Sequence, residues 1–249
     1  MMRTFSTVAV SFLVLTASQA LAVNLLQNPT LDFDGGVATG AESATADFWT
    51  RTGFTDTGNP DPETTSLFQP WASYNTDPGA RGLWFKPFLG GALWWSNPPS
   101  PVDSDLYQDV PGVAGVTYTL SAWFKYERYY SGLNPLQPTQ TLLAIDYFDA
   151  SMTLLDSNVL DIDEVMPTLP DGTGSGQWHQ FSVSGVAPAG TAFVRARASM
   201  IDGVFSYRIN PDGSWSALNP QSAFVDEFVL TPEPATGLAL LALLVLRRR

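Results

Sequence analysis

Between residues 105 and 230, apolar and polar positions alternate in short runs, with the period of two that a half-buried strand requires. The clearest run is 117–127, where Tyr118, Leu120, Ala122, Phe124 and Tyr126 alternate with Thr117, Thr119, Ser121, Trp123 and Lys125. A strand at 106–110 precedes it across a Pro111-Gly112 turn, and the same patterning predicts strands at 141–148, 153–161, 178–186, 191–200 and 223–230. Turn clusters such as Asp171-Gly172 and Pro188-Ala189-Gly190 separate them. No intervening segment carries a helical period long enough for a crossover, so the pattern predicts an all-β fold, an antiparallel β-sandwich.

Before this run the pattern is weaker. Residues 23–32 predict a short first strand that breaks at Asn28-Pro29, because the residue before a proline is pushed out of helical space. Residues 34–100 hold no sustained period and are rich in Gly, Pro, Asp and Asn. A loop of that length is uncommon in a compact domain and is functional, disordered or a cover for short strands. Its aromatics argue against disorder: Phe48, Trp49, Phe54, Phe68, Trp71, Tyr74, Trp84, Phe85, Phe88, Trp94 and Trp95.

The two ends read as addresses. Residues 1–22 combine a charged Arg3, an apolar stretch from Val8 to Leu15 and an Ala20-Leu21-Ala22 cleavage site, the pattern of a signal peptide handled by the Sec translocon and signal peptidase. Residues 231–249 combine Pro232-Glu233-Pro234, an uncharged run from Ala235 to Leu246 and Arg247, Arg248 and Arg249. Leu and Ala favour a short C-terminal hydrophobic helix there. Spanning a bilayer takes about 20 apolar residues, so the run suits transient membrane engagement better than permanent anchoring. The arginines fit the positive-inside rule, and the bland alternative is a terminal core helix. The tail resembles the PEP-CTERM sorting signal of Gram-negative, polysaccharide-producing bacteria, although its apolar segment is shorter than that family usually shows. The resemblance implies recognition and cleavage by an exosortase, export across the inner membrane, and a destination at the cell surface or outside the cell.

Without its ends the chain changes character. Residues 23–230 carry eight Lys and Arg against 23 Asp and Glu, a net charge near −15 compared with −12 for the full sequence. Such a surface repels nucleic acid and anionic membranes. No cysteine is present, which excludes both a disulfide framework and thiol chemistry, and about 208 residues are enough for one all-β domain.

Four short motifs carry a second resemblance: Asn24–Asp32, Leu106–Trp123, Val186–Arg195 and Ala223–Val229 are similar in order to galactose-binding-like jelly rolls of the carbohydrate-binding-module type. The long aromatic insertion at about 34–100 is atypical of them. Asp226 shares the two-residue phase of Phe224, Phe228 and Leu230, which points it toward the apolar side, where a carboxylate needs a partner. The resemblance implies a structural Ca²⁺ between the first and last strands, with Asp32 and Asp226 at the matching positions and Asp34, carbonyls or water completing the shell. An ion pair with Arg195 or Arg197, or a wet strand end, remains open for Asp226. No other cofactor is implied.

For sugar binding, flat rings that stack on pyranose faces are the relevant chemistry. The candidates are Trp71, Trp84, Trp94, Trp95, Tyr129 and Tyr130, set against the plainer reading that most of these rings fill the core. Catalysis has little to stand on. His179 is the only histidine, no G-x-S-x-G elbow exists, and Glu127 with Asp146 is one of many carboxylate pairs an acidic chain must contain. The reading is a non-catalytic surface or matrix protein that binds exopolysaccharide. A structural biofilm component without a specific ligand is the alternative, and a polysaccharide-modifying enzyme the third.

Overall fold

The structure is a computed structural model that describes residues 23–32, 46–55, 63–77, 79–91 and 100–233. Ala20, Ala22, Asp34, Trp94, Trp95, Pro234 and Arg247, Arg248 and Arg249 lie outside the described residues.

Short strands come first: β1 (Thr50–Arg51), β2 (Phe54–Thr55), β3 (Glu63–Thr64), β4 (Ser66–Gln69) and β5 (Gly82–Phe85). The long strands follow: β6 (Val102–Pro111), β7 (Thr117–Tyr126), β8 (Gln140–Phe148), β9 (Leu154–Asp161), β10 (Trp178–Val186) and β11 (Phe193–Gly203). A small hairpin of β12 (Tyr207–Ile209) and β13 (Trp215–Ala217) leads to the last strand, β14 (Ala223–Pro232). Sheet one has the order β1-β6-β11-β8-β9 and sheet two the order β10-β7-β14-β5-β4, with every pairing antiparallel. This is the expected all-β sandwich, and the seven strands predicted after residue 100 fall within a few residues of their observed bounds, whereas the sequence pattern does not predict the β12–β13 hairpin.

The inward phase of β7, Tyr118 through Tyr126, is buried as its alternation requires. It meets Leu143, Ile145 and Tyr147 of β8, Val194, Ala196, Ala198 and Met200 of β11, and Leu106 and Val110 of β6. Hydrophobic burial of this kind, at about 25 cal/mol per Å² of apolar surface, is the main source of stability in a chain with no cross-links.

Three expectations change. Residues 23–32 run beside β14 without forming a strand. Asn28 and Leu31 take positive φ values of 45° and 55°, and Leu31 N–H bonds back to the Asn28 carbonyl, so the Asn-Pro step makes a turn instead. The segment stays attached through Leu25 N–H to the Leu230 carbonyl and through Gln108, which bonds both backbone groups of Gln27. Within 34–100, the described part contains five short strands, and β4 and β5 extend sheet two while β1 extends sheet one. The last strand also continues past residue 230: Pro232 pairs with Tyr118 and ends the strand, and Glu233 N–H bonds to the Thr117 carbonyl just beyond it, so the strand runs into the first residue of the Pro-Glu-Pro motif.

Among the described residues, no helix is long and apolar enough to cross a membrane.

Candidate functional site

The outer face of sheet two carries a group of aromatic residues that the core does not take. Strand register lines up Trp178, Lys125, Phe224, Trp84 and Leu67 in one row across β10, β7, β14, β5 and β4. The next row places Gln180, Trp123 and Asp226 side by side. Cross-strand neighbours on one face sit close enough for their side chains to interact, which makes each row a continuous surface.

A β-bulge explains why Asp226 belongs to this face. Register slips between Asp226 and Val229, and Glu227 takes φ of 56°. One extra residue inverts the side-chain phase. Ala223 and Val225 point into the core before the bulge, Phe228 and Leu230 after it. Asp226 is therefore out of phase with Phe228 and Leu230 and lies opposite the core, contrary to the pattern read from sequence.

The segment after β4 lies across this face. A single 3-10 turn, Pro70–Ala72, leads to Ser73 and Tyr74, and both are held by one carboxylate oxygen: Asp226 Oδ2 accepts from Ser73 Oγ (3.0 Å) and from Tyr74 N (2.8 Å). Asp226 Oδ1 accepts from Glu227 N at 2.8 Å. Asp226 is 0% exposed. Burial pushes its carboxyl up to about 8, against the lowering effect of its three hydrogen-bond donors.

The loop's rings settle on the strand rows. Trp71 meets Trp84 edge-on at 4.8 Å and Phe224 at 5.5 Å, and Tyr74 stacks on Trp123 at 4.3 Å with its edge toward Trp178. Aromatic pairs in such geometries contribute about 0.5–1.5 kcal/mol beyond their buried area. Trp71 nevertheless stays 52% exposed, so part of its indole remains open to solvent. It borders a cavity of about 460 Å³ whose walls include Lys125, Glu127, Arg128, Ser175 and Phe224. Lys125 Nζ stands 4.8 Å from the Trp178 ring and 4.5 Å from Phe224. Burial lowers the Lys125 ammonium from its ordinary value, and Glu127 offsets part of that effect. Arg128 also lines a neighbouring cavity of about 340 Å³ with Tyr129, Asp171 and Tyr207.

The remaining candidates separate. Trp84 forms the floor under Trp71, half-buried, and its buried indole N–H meets no hydrogen-bond partner among the described residues. Tyr129 is half-buried beside the second cavity, under the Arg128 guanidinium at 5.4 Å. Tyr130 is 1% exposed: its ring packs on Tyr126 and its hydroxyl bonds Thr141, so it is a core residue and presents no stacking face. The ion pairs weighed for Asp226 go elsewhere, because Arg195 bonds Asp109 and Arg197 bonds Asp146.

Asp226 and Asp32 both already hold hydrogen bonds, and Asp34, the third residue expected beside them, lies outside the described residues. The Asp226 oxygens already accept three hydrogen bonds, Asp32 Oδ1 accepts from Arg81 N, and calcium takes 6–8 oxygens. Among the described residues no group of three or more acidic, histidine or cysteine side chains is placed to hold a metal. The acidic neighbour of Asp32 is Glu227, whose carboxyl is raised by burial and then by Asp32.

The carboxylates considered for catalysis are also apart. Glu127 follows β7 in sheet two and accepts from Ser222 N, whereas Asp146 lies in β8 of sheet one, bound by Arg197. Sequence reading missed Lys125, Trp178, Trp123, Tyr74 and Phe224 as members of one surface. The outward phase of β7 carried the signal for two of them.

No family model matches the chain, and no curated protein matches it in sequence. Among solved structures it is similar to the enzymatically active domain of bacteriophage CBA120 tailspike protein 4, with 12% identity over 84% of this chain and 21% of that one and a TM-score of 0.47. The chain thus spans about a fifth of the tailspike protein in that structure. It is also similar to TmCBM61 in complex with β-1,4-galactotriose, with 15% identity, 85% and 100% coverage and a TM-score of 0.42. A third is a xylan-binding domain from CBM 22, with 14% identity, 76% and 90% coverage and a TM-score of 0.38.

Proposed function

We propose that the protein is a non-catalytic, exported surface or matrix protein that binds polysaccharide through the cleft on the outer face of sheet two. The observation that carries this reading is Trp71: a half-exposed indole, braced by Trp84 and Phe224, at the edge of a cavity that also offers an ammonium, a guanidinium and a carboxylate. A braced ring supplies contact area at little conformational cost, and the polar groups take hydroxyls and fix orientation. The long segment before β6 serves the site, since it brings Trp71 and Tyr74 onto a sheet whose other strands come later in the chain.

Export and sorting rest on the ends of the chain, with exosortase acting at the Pro-Glu-Pro motif. Exopolysaccharide is the partner that fits both the cleft and the address. Non-catalytic function is supported by the separation of Glu127 from Asp146 and by the hydrogen bond that occupies Glu127.

Affinity electrophoresis in gels containing soluble neutral and acidic polysaccharides tests the reading. Wild-type protein is expected to be retarded by at least one polymer, and Trp71→Ala to lose about tenfold or more in affinity with its near-ultraviolet circular dichroism otherwise native. Equal retardation of the two proteins would move binding away from this cleft. Wild-type mobility unchanged in every gel would favour a structural matrix component with no specific ligand.

A further inference from the structure

Lysine is scarce in this chain. Lys86 and Lys125 are the only two in 249 residues. Lys125 Nζ stands over Trp178 and Phe224, and Lys86 Nζ lies 5.3 Å from Trp84 and 5.9 Å from Phe88. Both lysines thus border the same aromatic row. The cavity beside Trp71 holds Lys125 and Arg128 against one carboxylate, Glu127, in a domain where acids outnumber bases 23 to eight.

Lys125 makes no ion pair among the described residues. Glu127, two positions on, spends Oε2 on Ser222 N at 2.7 Å, and Arg128 pairs with Asp171 at 3.2 Å. The half-buried ammonium is therefore flanked by ring faces, which attract a cation but do not take the place of a hydrogen-bonding carboxylate. Trp71 and Lys125 share Phe224 as a neighbour, at 5.5 Å from the indole and 4.5 Å from Nζ. A stacking surface and a cation thus meet at one ring.

On the reading that the cleft binds polysaccharide, we infer that its ligand is an acidic one, a uronate-bearing chain whose sugar ring stacks on Trp71 while its ring carboxylate bonds Lys125. The net negative charge of the domain does not forbid this. At physiological ionic strength charges beyond about 8 Å are largely screened, whereas a carboxylate in contact with a half-buried ammonium is screened far less. A charge-assisted hydrogen bond of this kind is about twice as strong as a neutral one.

The test compares polygalacturonate and alginate with their carboxyl-reduced derivatives by calorimetric titration of the purified protein in calcium-free buffer at 0.15 M salt. Expected is at least about tenfold tighter binding to an acidic polymer than to its reduced form. Lys125→Met should abolish that preference, costing the acidic polymer about tenfold more affinity than the reduced one, Lys125→Arg should retain it, and Trp71→Ala should weaken both. Equal affinity for acidic and reduced polymers overturns the inference and leaves polysaccharide binding intact. Equal weakening of both polymers by Lys125→Met overturns it too, because the lysine then does not distinguish a carboxylate from a hydroxymethyl group. Binding to none of the four polymers overturns the uronate assignment, while retardation in neutral-polysaccharide gels would still uphold the cleft.

Discussion

Asp226→Ala should lower the free energy of unfolding by about 2–4 kcal/mol in urea denaturation at pH 6, and should weaken polysaccharide binding in the same protein. The effect is large because one buried carboxyl satisfies the Tyr74 and Glu227 N–H groups and the Ser73 hydroxyl together. Truncation removes the shared acceptor of these part-buried donors and leaves a gap where the fully buried carboxyl stood. It also unfastens the Trp71 and Tyr74 loop from the sheet, so an unpinned Trp71 must lose conformational freedom again when it binds.

The same group sets a pH dependence. Asp226 is raised to about 8 in the folded protein, and Asp163, buried against the Tyr126 hydroxyl, to about 7. Unfolded carboxyls ionise near pH 4, whereas these keep their protons in the fold. Their contribution is therefore fully present below about pH 4, falls as pH rises and the unfolded state gives up protons that the folded state retains, and is lost above about pH 8. Wild-type urea midpoints should decline between pH 5 and 8.5. Asp226→Asn, which keeps a carbonyl for Tyr74 and Ser73 but cannot ionise, should show a shallower decline and overtake wild type at the alkaline end. Parallel slopes in the two proteins would show that Asp226 does not titrate in this range.

The second large effect lies in sheet one. Asp146→Ala should destabilise the domain by about 3–5 kcal/mol, the loss expected when a buried ion pair is left with one uncompensated charge. Arg197 grips Asp146 with two nitrogens, Nε at 2.7 Å and Nη2 at 3.1 Å, and the two side chains are 19% and 6% exposed. Asp105, 3.7 Å from Arg197, limits the damage but cannot replace a bidentate partner. The double replacement Asp146→Leu with Arg197→Met should recover most of the loss, because no charge is then stranded. Failure of the double variant to recover would mean that the pair organises β8 against β11 through more than its charges.

The contrast between β7 and β14 shows what the sequence made legible. β7 alternates without interruption from Thr117 to Tyr126, so its buried face could be named residue by residue. β14 looks equally regular, yet the bulge at Glu227 divides it into two phases, and nothing in Asp226-Glu227 announces which residue will take the left-handed conformation. That one residue decided whether Asp226 faced the core or the cleft. Tyr129 and Tyr130 are adjacent and chemically identical, and only the turn after β7, which brings Thr141 within reach of the second hydroxyl, sends Tyr130 inward. Trp71 was recognisable as a candidate, but its floor of Trp84 and Phe224 joins residues 140 positions apart through antiparallel pairing that no local pattern reveals.

Intrinsic tryptophan fluorescence tests the cleft most directly, since Trp71, Trp84, Trp123 and Trp178 all line or floor the outer face of sheet two. Titration with the polysaccharide that most retards the protein in gels should give a saturable spectral shift in wild type that is lost in Trp71→Ala. A shift of undiminished size and midpoint in Trp71→Ala would contradict binding at this cleft.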